Sequence, residues 1–120
     1  MKGPFELMAA ERLRQVGQEG FTAEHDDEHT SGEIAMAAAC YAAPKPILVR
    51  EKRMVQVNAS RGLSDAYQYE QAERLGYYDA WPWDEEWDKR AKHDRLRQLV
   101  IAGALIAAEI ERLQRLQAKV

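Results

Sequence analysis

The chain has one cysteine, Cys40, so no disulfide can form within it. A lone cysteine in an apolar run suits a reducing cytoplasm, and with no charged neighbour to lower its pKa it reads as a small core residue, not a nucleophile. Long hydrophobic runs are missing as well. The longest, Leu99 to Ala108, has ten residues, about half of the roughly 20 that a bilayer span requires. The first residues lack a signal-peptide pattern, and the expectation is a soluble, intracellular protein with no membrane partner. Net charge is small, −3, which speaks against nucleic acid as the partner of the whole chain. No internal repeat, low-complexity tract or intact catalytic motif is present.

What is present fits one domain: 120 residues, 46% of them apolar, suffice for a single core without metals or disulfides. Charge comes in blocks, which suggests faces. Residues 1 to 43 are mostly acidic where charged, residues 79 to 88 carry acids and no base, and residues 89 to 97 are basic except for Asp94.

The run LVIAGALIAA must be enclosed by the rest of the fold. Leu96, Leu99, Gly103, Ile106, Ile110 and Leu113 alternate three- and four-residue steps, a seam expected to meet another helix along its length. Asp94 can cap this helix, predicted over 94 to 117. A second alanine-rich helix is predicted over 31 to 43, with Thr30 and Glu33 as a capping box and Pro44 and Pro46 as its stop. The two form the natural central pair. Pro4 opens a third helix, 4 to 16, whose Phe5, Ala9, Leu13 and Val16 should dock on the core while Glu6, Glu11, Arg12 and Arg14 face solvent. Gly17 and Gly20 should end it, and Thr22 can cap the acidic turn that follows.

Between these helices the pattern changes. β-branched residues around Arg50 to Arg53 suggest a small hairpin, 47 to 50 against 53 to 57, followed by a loop from Asn58 to Gly62. Ser64 to Leu75 reads as a helix stopped by Gly76. The predicted fold is therefore mainly α: a single-domain helical bundle over 1 to 120 around two alanine-rich central helices, with a hairpin or irregular insertion over 44 to 78.

Two polar constellations stand out. The first is HDDEH. His25 and His29 are four apart, on one side of a helix if it continues, and with Asp26 they offer ligands for zinc or a harder divalent ion. Glu109, just after the apolar run, could join them if it points inward; with Arg112 three residues on, it could equally be a surface pair. The plainer reading of HDDEH is an acidic turn complementing the next helix N-terminus. The second constellation is YYDAWPWDEEW, which holds five of the ten aromatic residues. Pro82 stiffens the bend between Trp81 and Trp83, and Trp83 and Trp87 would stack one turn apart if a helical turn followed. The segment is either a plug over the end of the core or a wall for a planar ligand. Directly after it come Lys89, Arg90 and Lys92, which could pair with the phosphate of a base stacked on the tryptophans.

The segments ERLRQVGQEGFTAEHDDEHTSGEIAMAAACYA, DAWPWDEEWDKR and LRQLVIAGALIAAEIERL occur in an order that resembles a family of small proteins carried by tailed phages and prophages. The resemblance covers roughly the first 43 and last 40 residues and implies a phage accessory protein acting in the bacterial cytoplasm; it implies no activity. Two functions follow as expectations. One is non-catalytic binding of a host protein or a small anionic, nucleotide-like ligand at Trp81, Trp83, Trp87, Lys89, Arg90 and Lys92, with no cofactor. The other is metal-dependent nucleotide hydrolysis with His25, Asp26, His29 and Glu109 as ligands or base. Two alanine-rich helices and an aromatic segment are more apolar surface than a monomer of this size hides, so a homo-oligomer is also expected.

Overall fold

The structure, a computed structural model, describes residues 1–58 and 69–119. Four helices and two strands follow in the order α1 (Pro4–Gln18), α2 (Ala23–Asp27), α3 (Glu33–Ala42), β1 (Leu48–Asn58), β2 (Tyr69–Asp79) and α4 (Arg95–Ala118), with short 3-10 turns at Glu85–Trp87 and Arg90–Lys92. The chain divides into two compact units, one made of residues 1–47 with the segment from Ala80 onward, the other of Leu48–Asp79. Among the described residues no helix is long and apolar enough to cross a membrane.

In the helical unit α3 and α4 pack together, and α1 and α2 pack on α4. The core joins Ile34, Ala37, Ala38 and Tyr41 of α3 to Ile101, Ala102, Leu105 and Ala108 of α4. Small side chains bring the two backbones close, as the alanine content of both helices implies. Cys40 is buried beside them. The caps divide. Asp94 accepts from the Arg97 amide at 2.8 Å and Thr22 from the His25 amide at 3.3 Å, as expected. α3 instead starts at Gly32, whose φ of 81° is left-handed; the Glu33 carboxylate turns back to the Ser31 amide and to His29, so Thr30 and Glu33 form no capping box.

The apolar faces lie opposite to expectation. On α1 the buried residues are Glu11, Arg12 and Gln15, while Phe5, Leu13 and Val16 are exposed. The reason is an ion-pair network on the inner face. Arg12 donates to Asp26 of α2 at 2.9 Å and to the Phe21 carbonyl at 3.2 Å; Glu11 accepts from Arg14 at 2.7 Å and from Arg97 of α4. These bonds satisfy the buried charges, and burying them commits that face to the interior. On α4 the seam Leu96, Leu99, Ile106, Ile110 and Leu113 is likewise exposed, and the alanine side meets α3 instead. Gly103 is the exception within the seam: a Cβ there would lie 1.9 Å from the Met8 sulfur, so the missing side chain is what admits Met8 of α1.

The second unit overturns the helical-bundle expectation. β1 and β2 form a two-stranded antiparallel sheet running from Leu48↔Asp79 to Asn58↔Tyr69, so the fold is mixed and not all-α. The hairpin is longer than the predicted 47 to 57, and residues 69 to 75, expected in a helix, are strand. Val49, Val55, Ala72 and Tyr78 share one partly buried face, while Leu48, Met54, Leu75 and Tyr77 lie exposed on the other. This alternation has a period of two, and it is visible only once the partner strand fixes the register. The Arg53 guanidinium lies 4.6 Å from the Tyr78 ring centroid. Gly76, read as a helix stop, sits mid-strand opposite Glu51. The start of the predicted 64-to-75 helix and the loop at 59 to 62 lie outside the described residues.

Candidate functional site: an aromatic-walled cavity

The turn after α1 begins the site. Gly20 takes a φ of 74°, open to glycine at no steric cost, and the Phe21 amide donates back to the Gln15 carbonyl at 3.0 Å. This reversal returns the chain along α1 and points Phe21 and α2 at its polar face. Phe21 stacks on His25 with centroids 4.9 Å apart; His25 meets His29 at 4.9 Å, edge on. His29 then meets Trp83 at 5.2 Å, Trp83 meets Trp81 at 5.6 Å, and Trp81 meets Tyr41 of α3 at 5.8 Å. Six aromatic rings thus form one continuous chain from α2 to α3 across the WPW bend.

These rings wall a cavity of about 590 Å³, within the 300–1,000 Å³ of ordinary small-molecule sites. Glu11, Arg14, Gln15 and Glu19 of the α1 side supply polar lining, Ile101 and Leu105 of α4 supply apolar lining, and Glu28, Pro82, Asp84, Trp87, Lys89 and His93 complete it. The HDDEH histidines and the WPW tryptophans, far apart in sequence, therefore belong to one site.

The sequence-derived ligand residues separate within it. Trp81, Trp83, Trp87 and Lys89 line the cavity. Trp83 neighbours Trp81 in place of the expected Trp87, because the turn at Glu85–Trp87 is a 3-10 turn and Trp87 is left half exposed. Arg90 does not line the cavity; it pairs with Asp88 at 2.7 Å and lies over the Trp81 ring, 5.2 Å from its centroid. Lys92 is exposed away from it. The rest of the basic block is committed internally: Arg95 donates to the carbonyls of Tyr41, Ala42 and Ala43 at the end of α3, where a cation complements the helix dipole, and Arg97 pairs with Glu11.

The proposed metal ligands do not converge. Asp26 is held by Arg12 on one oxygen and by His25 Nδ1 at 3.0 Å on the other. His29 Nδ1 lies 3.0 Å from Glu33. Glu109 pairs with Arg112 and borders a different, shallow groove between α3 and α4. Among the described residues no three His, Cys, Asp or Glu side chains are grouped to hold a metal ion. The donor set does not fit a metal centre, because its carboxylates already neutralise arginines.

Electrostatics reinforce this division. Burial pushes the Glu11 carboxyl up, but the hydrogen bond from Arg14 and the charges of Arg14 and Arg97 outweigh it and hold the group below its ordinary value. Arg14 is raised by its bonds to Glu11 and Glu19. Burial chiefly pushes the Tyr41 hydroxyl up from its ordinary value. Asp88 is lowered by its hydrogen bond to Arg90.

Two buried polar atoms of the lining residues have no hydrogen-bond partner among the described residues: Gln15 Oε1 and Trp83 Nε1. The Gln15 amide is oriented by its Nε2, which donates to Glu11 at 3.2 Å; the reverse orientation would set its oxygen against a carboxylate. One buried acceptor and one buried donor are left. Such groups cost free energy unless something pairs with them. Phe21 reads from the sequence as an anchor after the first helix, whereas Gln15 and Tyr41 do not stand out. Tyr41 could have done so, as the only ring in an alanine-rich helix, but Gln15 carries no local signal.

Comparison with protein-family models, with curated proteins and with solved structures finds no match.

Proposed function

We propose that the protein is a binding protein for a small planar, nucleotide-like ligand, held in the aromatic-walled cavity. The observation that carries this reading is the pairing of a continuous aromatic wall with two buried, unpartnered polar atoms, Gln15 Oε1 and Trp83 Nε1. A heteroaromatic base offers faces for the rings together with an edge donor for Gln15 and an edge acceptor for Trp83. Lys89, which also lines the cavity, supplies the positive charge for an anionic substituent, while Glu11 and Glu19 have their charge met by Arg14. Glu28 and Asp84 also line the cavity, so the lining as a whole does not attract an anion, and stacking with edge recognition supplies most of the affinity.

In this reading the protein acts by occupation, as a phage or prophage accessory protein of the bacterial cytoplasm. The metal-dependent hydrolase reading draws no support from the donor geometry. The exposed apolar residues of α1 and α4 favour a homo-oligomer as the working state, and a host protein as an additional partner is not needed to account for the cavity.

A thermal-shift screen of nucleosides and nucleotides tests the binding reading. A matching ligand at about 100 times its dissociation constant adds roughly 2.7 kcal/mol to stability. A screen with no shift for any base, sugar or phosphate combination at millimolar concentration contradicts it.

A further inference from the structure

The α4 seam is the least expected surface of the molecule. Leu96, Leu99, Ile106, Ile110 and Leu113 are 65, 47, 50, 50 and 43% exposed, yet their spacing with Gly103 is the three-four alternation of a helix that packs against another helix. The neighbours of α4 within the chain are already placed: α3 takes the alanine side, α2 packs on α4 with Asp27 against Arg115, and α1 meets the seam at Gly103, where Met8 fills the notch. Met8 also joins the seam to α1. Phe5, Leu13 and Val16 follow it around α1 on the side away from Glu11, and they are 81, 75 and 40% exposed.

We infer that this α1–α4 face is the contact surface for a second copy of the same chain, with the α4 seam packed on the α4 seam of its partner about a two-fold axis. Three observations favour a second copy over other occupants. First, knob and hole lie on one surface. Ile106 and Ile110 project beside a shallow apolar groove that they share with Ala35, Ala38, Ala39 and Ala42, so each copy offers both the side chain and the depression that an isologous contact requires. Second, the area matches. The eight side chains amount to between four and five wholly exposed ones, or about 500 Å² of apolar surface at the transfer value of a large aliphatic side chain. With a polar rim in ordinary proportion this reaches about 800 Å² per partner, the size of a stable interface. Third, the arginines near the start of α4 are already engaged, Arg95 with the α3 carbonyls and Arg97 with Glu11, which leaves the seam without the free basic border that a lipid surface would select.

This pairing rests on the homo-oligomer proposed above and is separable from it by experiment. Sedimentation of the full chain at micromolar concentration is expected to give a dimer. The double variant Ile106→Gln, Ile110→Gln, which changes two half-exposed positions to good helix formers, is expected to sediment as a monomer with an unchanged far-ultraviolet circular dichroism spectrum. A wild-type monomer overturns both the homo-oligomer and this face, and its sedimentation with anionic vesicles would reassign the face to lipid. A wild-type dimer that persists in the double variant keeps the homo-oligomer and overturns the face. Should the variant unfold, hydrogen exchange of the wild-type chain decides: amides of 96 to 113 that gain protection with rising concentration support the pairing, and concentration-independent exchange there overturns it.

Discussion

The His29 ring lies 5.2 Å from the Trp83 ring, centroid to centroid, and this contact closes the aromatic wall between α2 and the WPW bend. Edge and tilted ring contacts of this kind are worth about 0.5–1.5 kcal/mol beyond area burial. His29→Ala should therefore cost about 1 kcal/mol in the packing of Trp83, with part of the effect arising from the lost contact to Glu33. Denaturant titration followed by tryptophan emission checks it; an unshifted emission maximum with unchanged stability would mean that the wall does not depend on His29.

Arg12 and Asp26 form a buried pair at 2.9 Å, 9% and 2% exposed. Removing one partner of such a pair leaves the other charge uncompensated and costs about 3–5 kcal/mol, while replacing both by apolar side chains of similar volume is often neutral. Asp26→Asn should fall near the lower end, since Arg12 keeps the Phe21 carbonyl and has Glu111 at 3.5 Å. Arg12→Met with Asp26→Leu should recover most of the loss in chemical denaturation, and a double variant worse than either single one would contradict the assignment.

Glu11 gives the fold a pH dependence of definite sign. Its folded pKa lies below the ordinary value of 4.5, so the unfolded chain binds the proton more readily. The stabilisation is complete above the ordinary glutamate range and is lost as pH falls through the folded value. Asp27, Glu33 and Asp88 are lowered too and act in the same direction. Stability measured between neutral pH and acid should fall below the ordinary carboxyl range of about 4–4.5, and Glu11→Gln should make that fall shallower. An equally steep fall in the variant contradicts this role.

Gly103 and Met8 should be energetically coupled. Glycine inside a helix costs about 1 kcal/mol relative to alanine, but a Cβ at 103 meets the Met8 sulfur. Gly103→Ala alone should therefore gain little or lose stability, and in a Met8→Ala background it should gain about 1 kcal/mol. Equal effects in the two backgrounds would mean that Met8 does not fill the notch.

Local signals suffice at three helix ends. Asp94 and Thr22 cap their helices, and the run ending at Pro44 and Pro46 stops α3 at Ala42. Orientation was not legible. The stripe Phe5, Ala9, Leu13, Val16 has the spacing of a docking face, but Arg12 and Glu11 find Asp26 and Arg97 at separations of 14 and 86 residues, and Arg115 finds Asp27 at a separation of 88. No local pattern announces such partners. The β2 strand is hidden in the sequence for a related reason: Ala72, Leu75 and Gly76 mimic a helix and its stop until β1 supplies a register. At the site, the two constellations were visible separately, and their meeting at His29 and Trp83 depends on how α2 and the WPW bend pack on α3 and α4.

The cavity's purpose turns most directly on Gln15. Were its buried Oε1 only a flaw of packing, Gln15→Leu would change stability alone, exchanging an unpaired acceptor and the Nε2 bond to Glu11 for apolar surface. As a ligand anchor, the same substitution should abolish binding in a variant that stays folded, because Arg14 and Arg97 still hold Glu11. The decisive measurement is a calorimetric titration of nucleosides and nucleotides into the wild-type chain and into Gln15→Leu. The expected result is saturable binding, one ligand per chain, in the wild type and none in the folded variant. No heat with any of them in the wild type, or equal binding in both proteins, would contradict the account.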